Sequence, residues 1–335
     1  MRSNSLRPFL DLELTSMDKF LSCDWGTSSF RLRLVQTSDL TLLKEKVSGQ
    51  GIAETFESWK RAGRADEDRT LFYFEIIRLN VQAFEKSLGY SLNEVPTILS
   101  GMVGSSIGMR EVPYKELPFS VDGSDLVMRK LHLEGINANV VIISGAKAGD
   151  DVMRGEETQL VGCSHNNKRT GQSLFIFPGT HSKHIIIERD KAVGFKTYMT
   201  GEFFELLSTK SILSASVEQG SDFPHEKNKQ SFEKGVEESV KSNILHSSFQ
   251  VRTNQLFNKF SREENYYFLS GLLIGTEVRE LMNAHYLRII LVTTAQLRPY
   301  YETAIRMLHP GTLLEIEDAD MALLRGQFQI LKRLQ

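Results

Sequence analysis

The feature of this 335-residue chain that most restricts its fold is a strand–turn–strand pattern that occurs once in each half. The first copy, KFLSCDWGTSSFRLRLVQ, has an apolar run, a turn of Gly, Thr and Ser, and then leucines alternating with arginines. The second copy, SLFIFPGTHSKHIIIE, has the same layout, and superposing the turns places Gly26 on Gly179 and Thr27 on Thr180. The correspondence spans whole supersecondary units, so it predicts two similarly built halves.

Strands and helices alternate through the rest of the first half. TLLKEKVSG predicts a third strand, and the helical spacing of Ile77, Val81, Phe84 and Leu88 predicts a helix from Arg69 to Leu88. VPTILSG and ANVVIISG are short, rich in β-branched residues and bounded by Pro or Gly, which is typical of buried strands.

The second half continues in the same way. KAVGFKTY predicts a strand, and a helix is expected from about Gly201 and another around Leu269. The strand LRIILVTT, the helix QLRPYYETAIRML, the strand TLLEIE and the helix DADMALLRGQFQILKRL follow, whereas the polar stretch 221–235 predicts a surface loop. The fold class is therefore α/β. Length and repeat together predict an extension over 1–17, a first domain over 18–170 and a second over 171–335.

Composition limits the partners of the chain. Lys and Arg total 40 against 42 Asp and Glu, so nothing draws the chain toward nucleic acid or an anionic membrane, and no apolar run is long enough to span a bilayer. Cys23 and Cys163 form no CxxC pair, which argues against a disulfide framework or zinc site and favours the cytoplasm. Pro8 interrupts any signal peptide, and Met17 is a candidate native start. We expect a small-molecule partner, and a homo-oligomer stays open.

The first turn carries residues suited to phosphate binding. In DWGTSSFR, Asp24 stands at the end of a buried strand, Gly26 permits close backbone approach, and Thr27 and Ser28 supply hydroxyl groups. Asp24 would face the metal that accompanies the phosphates. Taken alone, this segment is explained equally well by a plain β-hairpin with a polar turn.

The second turn, PGTHSKH, favours a binding site over a plain hairpin. It repeats the same chemistry in Gly179, Thr180 and Ser182, with Lys183 beside them. Two such turns in corresponding places are typical of a nucleotide phosphate tail held across an interdomain cleft, as in the actin, hexokinase and heat-shock ATPase superfamily.

Two acidic residues stand between the turns, in GDDVMRGEETQLVG. Asp150 and Asp151 follow the strand VVIISG and open a predicted helix, so a carboxylate there is expected to face the cleft. In sugar kinases of this superfamily, an acid at that position takes the proton from the accepting hydroxyl. Capping of the helix is the alternative role for both residues.

Six strings resemble, in order, the successive motifs of the 2-dehydro-3-deoxygalactonokinase family across nearly all of residues 20–335: DWGTSSFR, SGMVGSSIGMREVPY, DVMRGEETQLVG, FPGTHSKH, TGEFFELL and FLSGLLIGTEVREL. The resemblance implies two ribonuclease-H-like (actin-like ATPase) domains, ATP and Mg²⁺ as cofactors, and phosphorylation of a 2-keto-3-deoxy sugar acid at its 6-hydroxyl in galactonate catabolism. It implies Asp24 as the metal-side carboxylate and Asp151 as the base. It also implies phosphate contacts from Gly26, Thr27, Ser28, Gly179, Thr180, Ser182 and Lys183.

The resemblance also implies residues for adenosine and for the sugar acid. Gly271 and Gly275 resemble the small-residue helix on which superfamily members lay adenosine, with Thr294 nearby, although close helix packing explains the glycine pair equally well. Side chains of the glycine-rich loop and of the DVMRGEE string are expected to contact the sugar acid: Met102, Ser105, Arg110, Glu111, Tyr114 and Arg154.

Two segments depart from the family pattern. Residues 106–109 (SIGM) stand where family members usually show an Arg-Gln-Gly-Trp-like run, so Arg110 or Arg154 must hold the substrate carboxylate, or the substrate differs. A surface salt bridge is the alternative role for either arginine. Thr293 and Thr294 stand where a Gly/Ser pair near the adenine is more usual.

Two other functions stay open at this stage. A non-catalytic ATP-binding sensor on the same fold would keep the phosphate turns but would not need the acid of DVMRGEE. The string GSSIG at 104–108 fits the GxSxG pattern of a serine hydrolase, but Pro113 disfavours the helix that must follow its serine. The sequence contains no P-loop, dinucleotide fingerprint or HExxH helix, and its histidines show no metal-ligand spacing.

Overall fold

The computed structural model describes residues 17–133, 136–163, 171–220, 223–283 and 286–334. The predicted extension up to residue 16 lies outside these residues, as does residue 170 at the predicted domain boundary. The strands are β1 (Lys19–Trp25), β2 (Phe30–Gln36), β3 (Leu42–Ser48), β4 (Thr97–Gly101), β5 (Lys115–Glu116), β6 (Phe119–Ser120), β7 (Met128–Leu133), β8 (Ile136–Ile143), β9 (Ala146–Lys147), β10 (Val152–Met153), β11 (Ser173–Phe177), β12 (Ser182–Glu188), β13 (Lys191–Tyr198), β14 (Arg288–Thr293) and β15 (Leu313–Asp318).

Helices cover the sheets and connect the strands. They are α1 (Ile52–Arg61), α2 (Arg69–Leu88), α3 (Glu156–Cys163), α4 (Thr200–Thr209), α5 (Glu226–Lys241), α6 (Ile244–Ser247), α7 (Gln250–Leu256), α8 (Arg262–Val278), α9 (Arg298–Leu308) and α10 (Ala319–Lys332). In the part of the chain that the structure describes, no helix is long and apolar enough to cross a membrane.

The two large sheets share the same arrangement of five strands, and the sixth strand is added at opposite ends. The first has the strand order β3-β2-β1-β4-β8-β7, and the second has the order β6-β13-β12-β11-β14-β15. In each sheet the three strands around the Gly-Thr turn are antiparallel and the next two are parallel, so β1, β2, β3, β4 and β8 correspond to β11, β12, β13, β14 and β15. The predicted α/β fold with two ribonuclease-H-like halves is confirmed.

The stretch 221–235, predicted as a surface loop, is instead largely helical. Its described part leads into α5, which packs along α8. The buried face of α5 consists largely of small and polar residues, namely Asn228, Ser231, Gly235 and Ser239, besides Phe232 and Val236. Hydrophobic periodicity is therefore weak, although the helix is well packed. Helix α1 and strand β7 were not predicted.

Helices α3 and α10 cross where each carries a glycine. A Cβ atom added to Gly162 would lie 1.7 Å from the carbonyl oxygen of Ala322, and one added to Gly326 would lie 1.9 Å from that of Thr158. From α10, the amide of Gln327 donates to the Cys23 carbonyl oxygen at 3.2 Å, which ties the second half to the first sheet. One apolar core draws residues from both sheets and both helices. The division at residue 170 stays a prediction.

We predict that Gly326→Ala lowers the free energy of unfolding by about 3 kcal/mol, because the added methyl group meets rigid backbone. Urea denaturation measures the change. Gly311→Ala is the matched control, since no atom lies within 4 Å of its added Cβ, and it should stay within about 0.5 kcal/mol of the unsubstituted chain. Equal stability of the two variants would contradict the close crossing.

Candidate active site

Both Gly-Thr turns line one cavity of about 400 Å³, which we call the cleft. Besides the turns, acidic, basic and aromatic side chains face it. Its lining includes Asp24, Gly26, Thr27, Met102, Tyr114, Arg154, Glu156, Gly179, Thr180, His181 and Lys183. The structure therefore brings together most of the residues that the sequence predicts for phosphate, the one predicted for metal and part of those predicted for the sugar acid.

The start of a helix holds each turn in place. The N–H of Ile52, in α1, donates to the carbonyl oxygen of Gly26 at 3.0 Å, and the N–H of Glu202, in α4, donates to that of Thr180 at 3.1 Å. Helix α4 lies so close to the second turn that a Cβ atom on Gly201 would lie 2.6 Å from the carbonyl oxygen of Gly179. The two halves therefore present their turns in the same way.

Asp24 lies in β1 at the edge of the cleft, beside two arginines. Burial raises the pKa of its carboxyl group, while Arg33 and Arg31 act to lower it. Both arginines bind Asp320 at the start of α10, at 2.8 Å and 2.7 Å. This network places positive charge beside the Asp24 carboxyl group at the edge of the cleft.

The second turn adds a positively charged side chain to the cleft. Lys183 is buried, its Nζ donates to the carbonyl oxygen of His181 at 2.9 Å, and it lies 3.4 Å from Oε1 of Glu156. Ser182 is also buried, but it points toward the interior, where its Oγ lies 2.9 Å from the hydroxyl of Tyr301. Ser28 is exposed and does not line the cleft.

Two glutamates begin α3 and have different environments. Glu156 lines the cleft, and its buried Oε2 has no hydrogen-bond partner in the described part of the chain. Glu157 lies beneath it and accepts from the N–H of Gly155 at 2.8 Å and the hydroxyl of Thr158 at 2.9 Å. Burial, and to a smaller extent the neighbouring Glu156, raise the pKa of Glu157 to about 7. Glu156 is thus an acid that lines the cleft besides Asp24, and the sequence reasoning missed it.

Asp151 does not open a helix and does not line the cleft, contrary to expectation. It precedes the short strand β10, and α3 begins five residues later in the chain. Its Oδ2 accepts from the backbone N–H of Thr197 at 2.7 Å, and its Oδ1 accepts from the Thr197 hydroxyl at 2.6 Å and the N–H of Val152 at 2.7 Å. Both oxygens are therefore used to join this loop to β13. The capping alternative is wrong too, because neither Asp150 nor Asp151 adjoins a helix.

The residues expected to contact the sugar acid separate into two groups. Arg154 and Tyr114 face the cleft together, with the guanidinium carbon 3.9 Å from the ring centroid, and Met102 lies beside them. The Nη2 of Arg154 donates to a backbone carbonyl oxygen, while its Nε and Nη1 are buried without a partner among the described residues. Ser105, Arg110 and Glu111 do not line the cleft, and Arg110 and Glu111 are exposed.

A second cavity, of about 300 Å³, adjoins the cleft at Gly179, which lines both. We call it the side cavity. Its walls come from α4, α8 and α9 and the loops before α5 and α9, and they carry aromatic and amide side chains: Phe204, Gln219, Tyr266, Gln296, Tyr300 and Tyr301. An apolar, aromatic pocket with a few polar groups suits a planar base. Its tyrosines resemble ordinary core residues in the sequence, so they were not predicted.

Gly271 and Gly275 lie on the opposite face of α8 and do not line the side cavity. A Cβ atom on Gly271 would lie 2.0 Å from the Phe232 carbonyl oxygen, and one on Gly275 would lie 2.5 Å from the Oγ of Ser239. They serve the close packing of α5 on α8, which was the alternative. Thr294 does not line the side cavity either.

Comparisons with known proteins identify the family of the chain. A family model described as 2-keto-3-deoxy-galactonokinase matches residues 24–330. The chain belongs to this family. The family is one of sugar-acid kinases, so the chain is a phosphotransferase, and the predicted resemblance is confirmed.

Individual relatives match along most of their length. The chain is 29% identical over 309 residues to the 2-dehydro-3-deoxygalactonokinase of Escherichia coli (strain K12), covering 87% of this chain and 90% of that protein. It is 28% identical over 321 residues to the Rhizobium meliloti (strain 1021) protein named probable 2-dehydro-3-deoxygalactonokinase DgoK1, covering 93% and 96%. A crystal structure assigned to the same kinase from Sinorhizobium meliloti superposes with a TM-score of 0.75 at 27% identity, covering 94% of this chain and 99% of that one.

The other functions considered find no support. No helix follows the GSSIG string, whose serine at 106 is exposed, so the strand–turn–helix of a hydrolase elbow is absent from this described segment. Over the described ranges, no group of three or more His, Cys, Asp or Glu residues is arranged to hold a metal ion. No comparison indicates a non-catalytic sensor.

Proposed function

We propose that the chain transfers the γ-phosphate of ATP to the 6-hydroxyl of a 2-keto-3-deoxy sugar acid such as 2-dehydro-3-deoxygalactonate. The observation that carries the proposal is that both Gly-Thr turns line one cleft, which adjoins an aromatic side cavity at Gly179. The polar cleft suits a nucleotide phosphate tail, and the aromatic side cavity suits a planar base. Membership of the family supports the substrate class.

ATP would lie with its base in the side cavity and its phosphates between the turns. Gly26 and Thr27 on one side and Gly179, Thr180 and Lys183 on the other line the space for the phosphates. Asp24 fits an accompanying Mg²⁺, because a carboxylate at the cleft edge is the donor type that this ion prefers. When bound, Mg²⁺ neutralises phosphate charge.

The sugar acid would bind on the opposite side of the cleft, with its carboxylate on Arg154. A carboxylate that loses its water needs a cation, and the two unpaired nitrogens of Arg154 need an acceptor. The ring of Tyr114 holds the guanidinium in place. Arg110 lies outside the cleft, so Arg154 is the better candidate of the two arginines.

Glu156 would take the proton from the attacking 6-hydroxyl. It faces the cleft, Lys183 lies beside one of its oxygens, and the other oxygen is free of hydrogen bonds from the described residues. Asp151, first expected in this role, has both oxygens engaged by backbone and hydroxyl donors outside the cleft. We therefore propose Glu156, in place of Asp151, as the general base.

A reaction of this kind takes place in the cytoplasm, and the two cysteines fit that location. Cys23 and Cys163 are both buried and form no disulfide, as in a reducing compartment. The partner is a small molecule held within the chain's own cleft.

We expect the purified chain to release ADP from Mg·ATP when 2-keto-3-deoxygalactonate is added, as measured by a coupled ADP assay. Its gluconate epimer serves as the comparison substrate, since it has the same carboxylate and 6-hydroxyl. If the folded chain turns over neither sugar acid, the proposed substrate class is wrong.

We expect Glu156→Gln to lower kcat by at least about 100-fold, the scale of general-base loss, with little change in ATP binding. Asp151→Asn is the matched control, because it also removes one acidic charge near the start of the same motif, and we expect it to change kcat less than about fivefold. Steady-state kinetics and ATP titration measure both variants. The opposite ranking would restore Asp151 as the base.

We expect Arg154→Lys to raise the KM for the sugar acid about 10-fold or more while the KM for ATP changes little, since a lysine cannot reproduce the planar fork of the guanidinium. Arg110→Lys should leave both KM values within about twofold. A selective effect at Arg110 and none at Arg154 would place the substrate carboxylate elsewhere.

A further inference from the structure

A buried carboxylate lies beneath the second turn, outside the cleft. Glu277, in α8, has a side chain that is 1% exposed, and its Oε1 lies 2.9 Å from Nε2 of His184. Its Oε2 accepts from the hydroxyl of Tyr301 at 2.8 Å and from the hydroxyl of Thr200. One side chain thus joins β12, α4 and α9 to α8, and a buried charge requires such donors.

The hydroxyl of Tyr301 has one proton, and Glu277 receives it. The 2.9 Å contact between Tyr301 and Ser182 must then use the proton of Ser182. Burial, and then Glu277, raise the pKa of Tyr301 well above its ordinary value, so the phenol keeps the proton that this order requires. The direction of the hydroxyl groups is set by the carboxylate.

This chain of hydrogen bonds ends at the second turn. Since the hydroxyl of Ser182 donates to Tyr301, its oxygen accepts from the N–H of Gly179 at 3.3 Å. The Gly179 carbonyl oxygen is the alternative acceptor for the Ser182 proton, but it is more distant, at 3.5 Å. Ser182 is therefore not free to donate to a phosphate, as the sequence had suggested. It holds the backbone of the turn instead.

We propose that Glu277 is a positioning residue, which orders the second phosphate turn through Tyr301 and Ser182. Because Tyr301 and Thr200 line the side cavity and Gly179 lines both cavities, the same carboxylate sets the turn relative to the base-binding walls. This inference rests on the proposed function, since it concerns how ATP is held.

Glu277→Gln keeps the shape of the side chain and adds two N–H donors. If its Nε2 faces the hydroxyls of Thr200 and Tyr301, both of these donors must reverse, and if it faces His184, the imidazole nitrogen must accept instead of donating. We expect Mg·ATP to bind at least about 10-fold more weakly, the scale of one lost hydrogen bond, and adenosine to change less than about twofold. Isothermal titration calorimetry with each ligand measures both.

Three further variants make the test specific. Tyr301→Phe keeps the ring but removes the hydroxyl group that links Glu277 to Ser182. It should therefore weaken Mg·ATP binding as Glu277→Gln does, and it tests the proposal if the Glu277→Gln variant does not fold. Glu280→Gln, three residues away and bonded to Tyr198 and Lys196, should bind both ligands normally. In a Ser182→Ala background, Glu277→Gln should weaken Mg·ATP binding by less than about a further twofold, because the hydrogen bond to the second turn is already lost.

Equal weakening of ATP and adenosine by Glu277→Gln would overturn the proposal, because the effect would then belong to the side cavity. Normal binding of both ligands, or full additivity with Ser182→Ala, would overturn it as well. In these cases the unsubstituted chain still binds ATP, so the proposed function stands. If the unsubstituted chain does not bind ATP at all, both the inference and the proposed function are wrong.

Discussion

The arrangement of the molecule depends on the contact between α3 and α10, where two glycines let the helix backbones meet. Each helix carries an acidic residue in its first turn. Glu156 opens α3 and lines the cleft, and Asp320, at the start of α10, binds the arginines beside Asp24. A wider crossing would move these two acids apart, so the packing of small residues sets the geometry of the charges.

The cleft combines charges of both signs that the protein holds in fixed places. Lys183 and Arg154 contribute positive charge and Asp24 and Glu156 contribute carboxyl groups, and in the proposed function these serve phosphate, the substrate carboxylate, Mg²⁺ and proton transfer. Such groups are effective in phosphoryl transfer because they are positioned before the substrates arrive. The network of Arg31, Arg33 and Asp320 does this for Asp24, and the ring of Tyr114 does it for Arg154.

The sequence predicts the strands, their pairing around the turns and the phosphate side of the cleft, because strand periodicity and glycine turns are local signals. It fails where the decisive contact comes from a distant element. The small face of α5 resembles a loop until α8 is placed against it, and that same contact explains Gly271 and Gly275. Asp151 matched the expected position of a base, but Thr197, 46 residues later, engages its oxygens.

The most direct test is a crystal structure of the chain with Mg²⁺, a non-hydrolysable ATP analogue and the sugar acid. The account predicts phosphates in contact with both Gly-Thr turns, the base in the side cavity, and the 6-hydroxyl within hydrogen-bond distance of Glu156. A nucleotide that touches only one turn, or a base bound outside the side cavity, would contradict it.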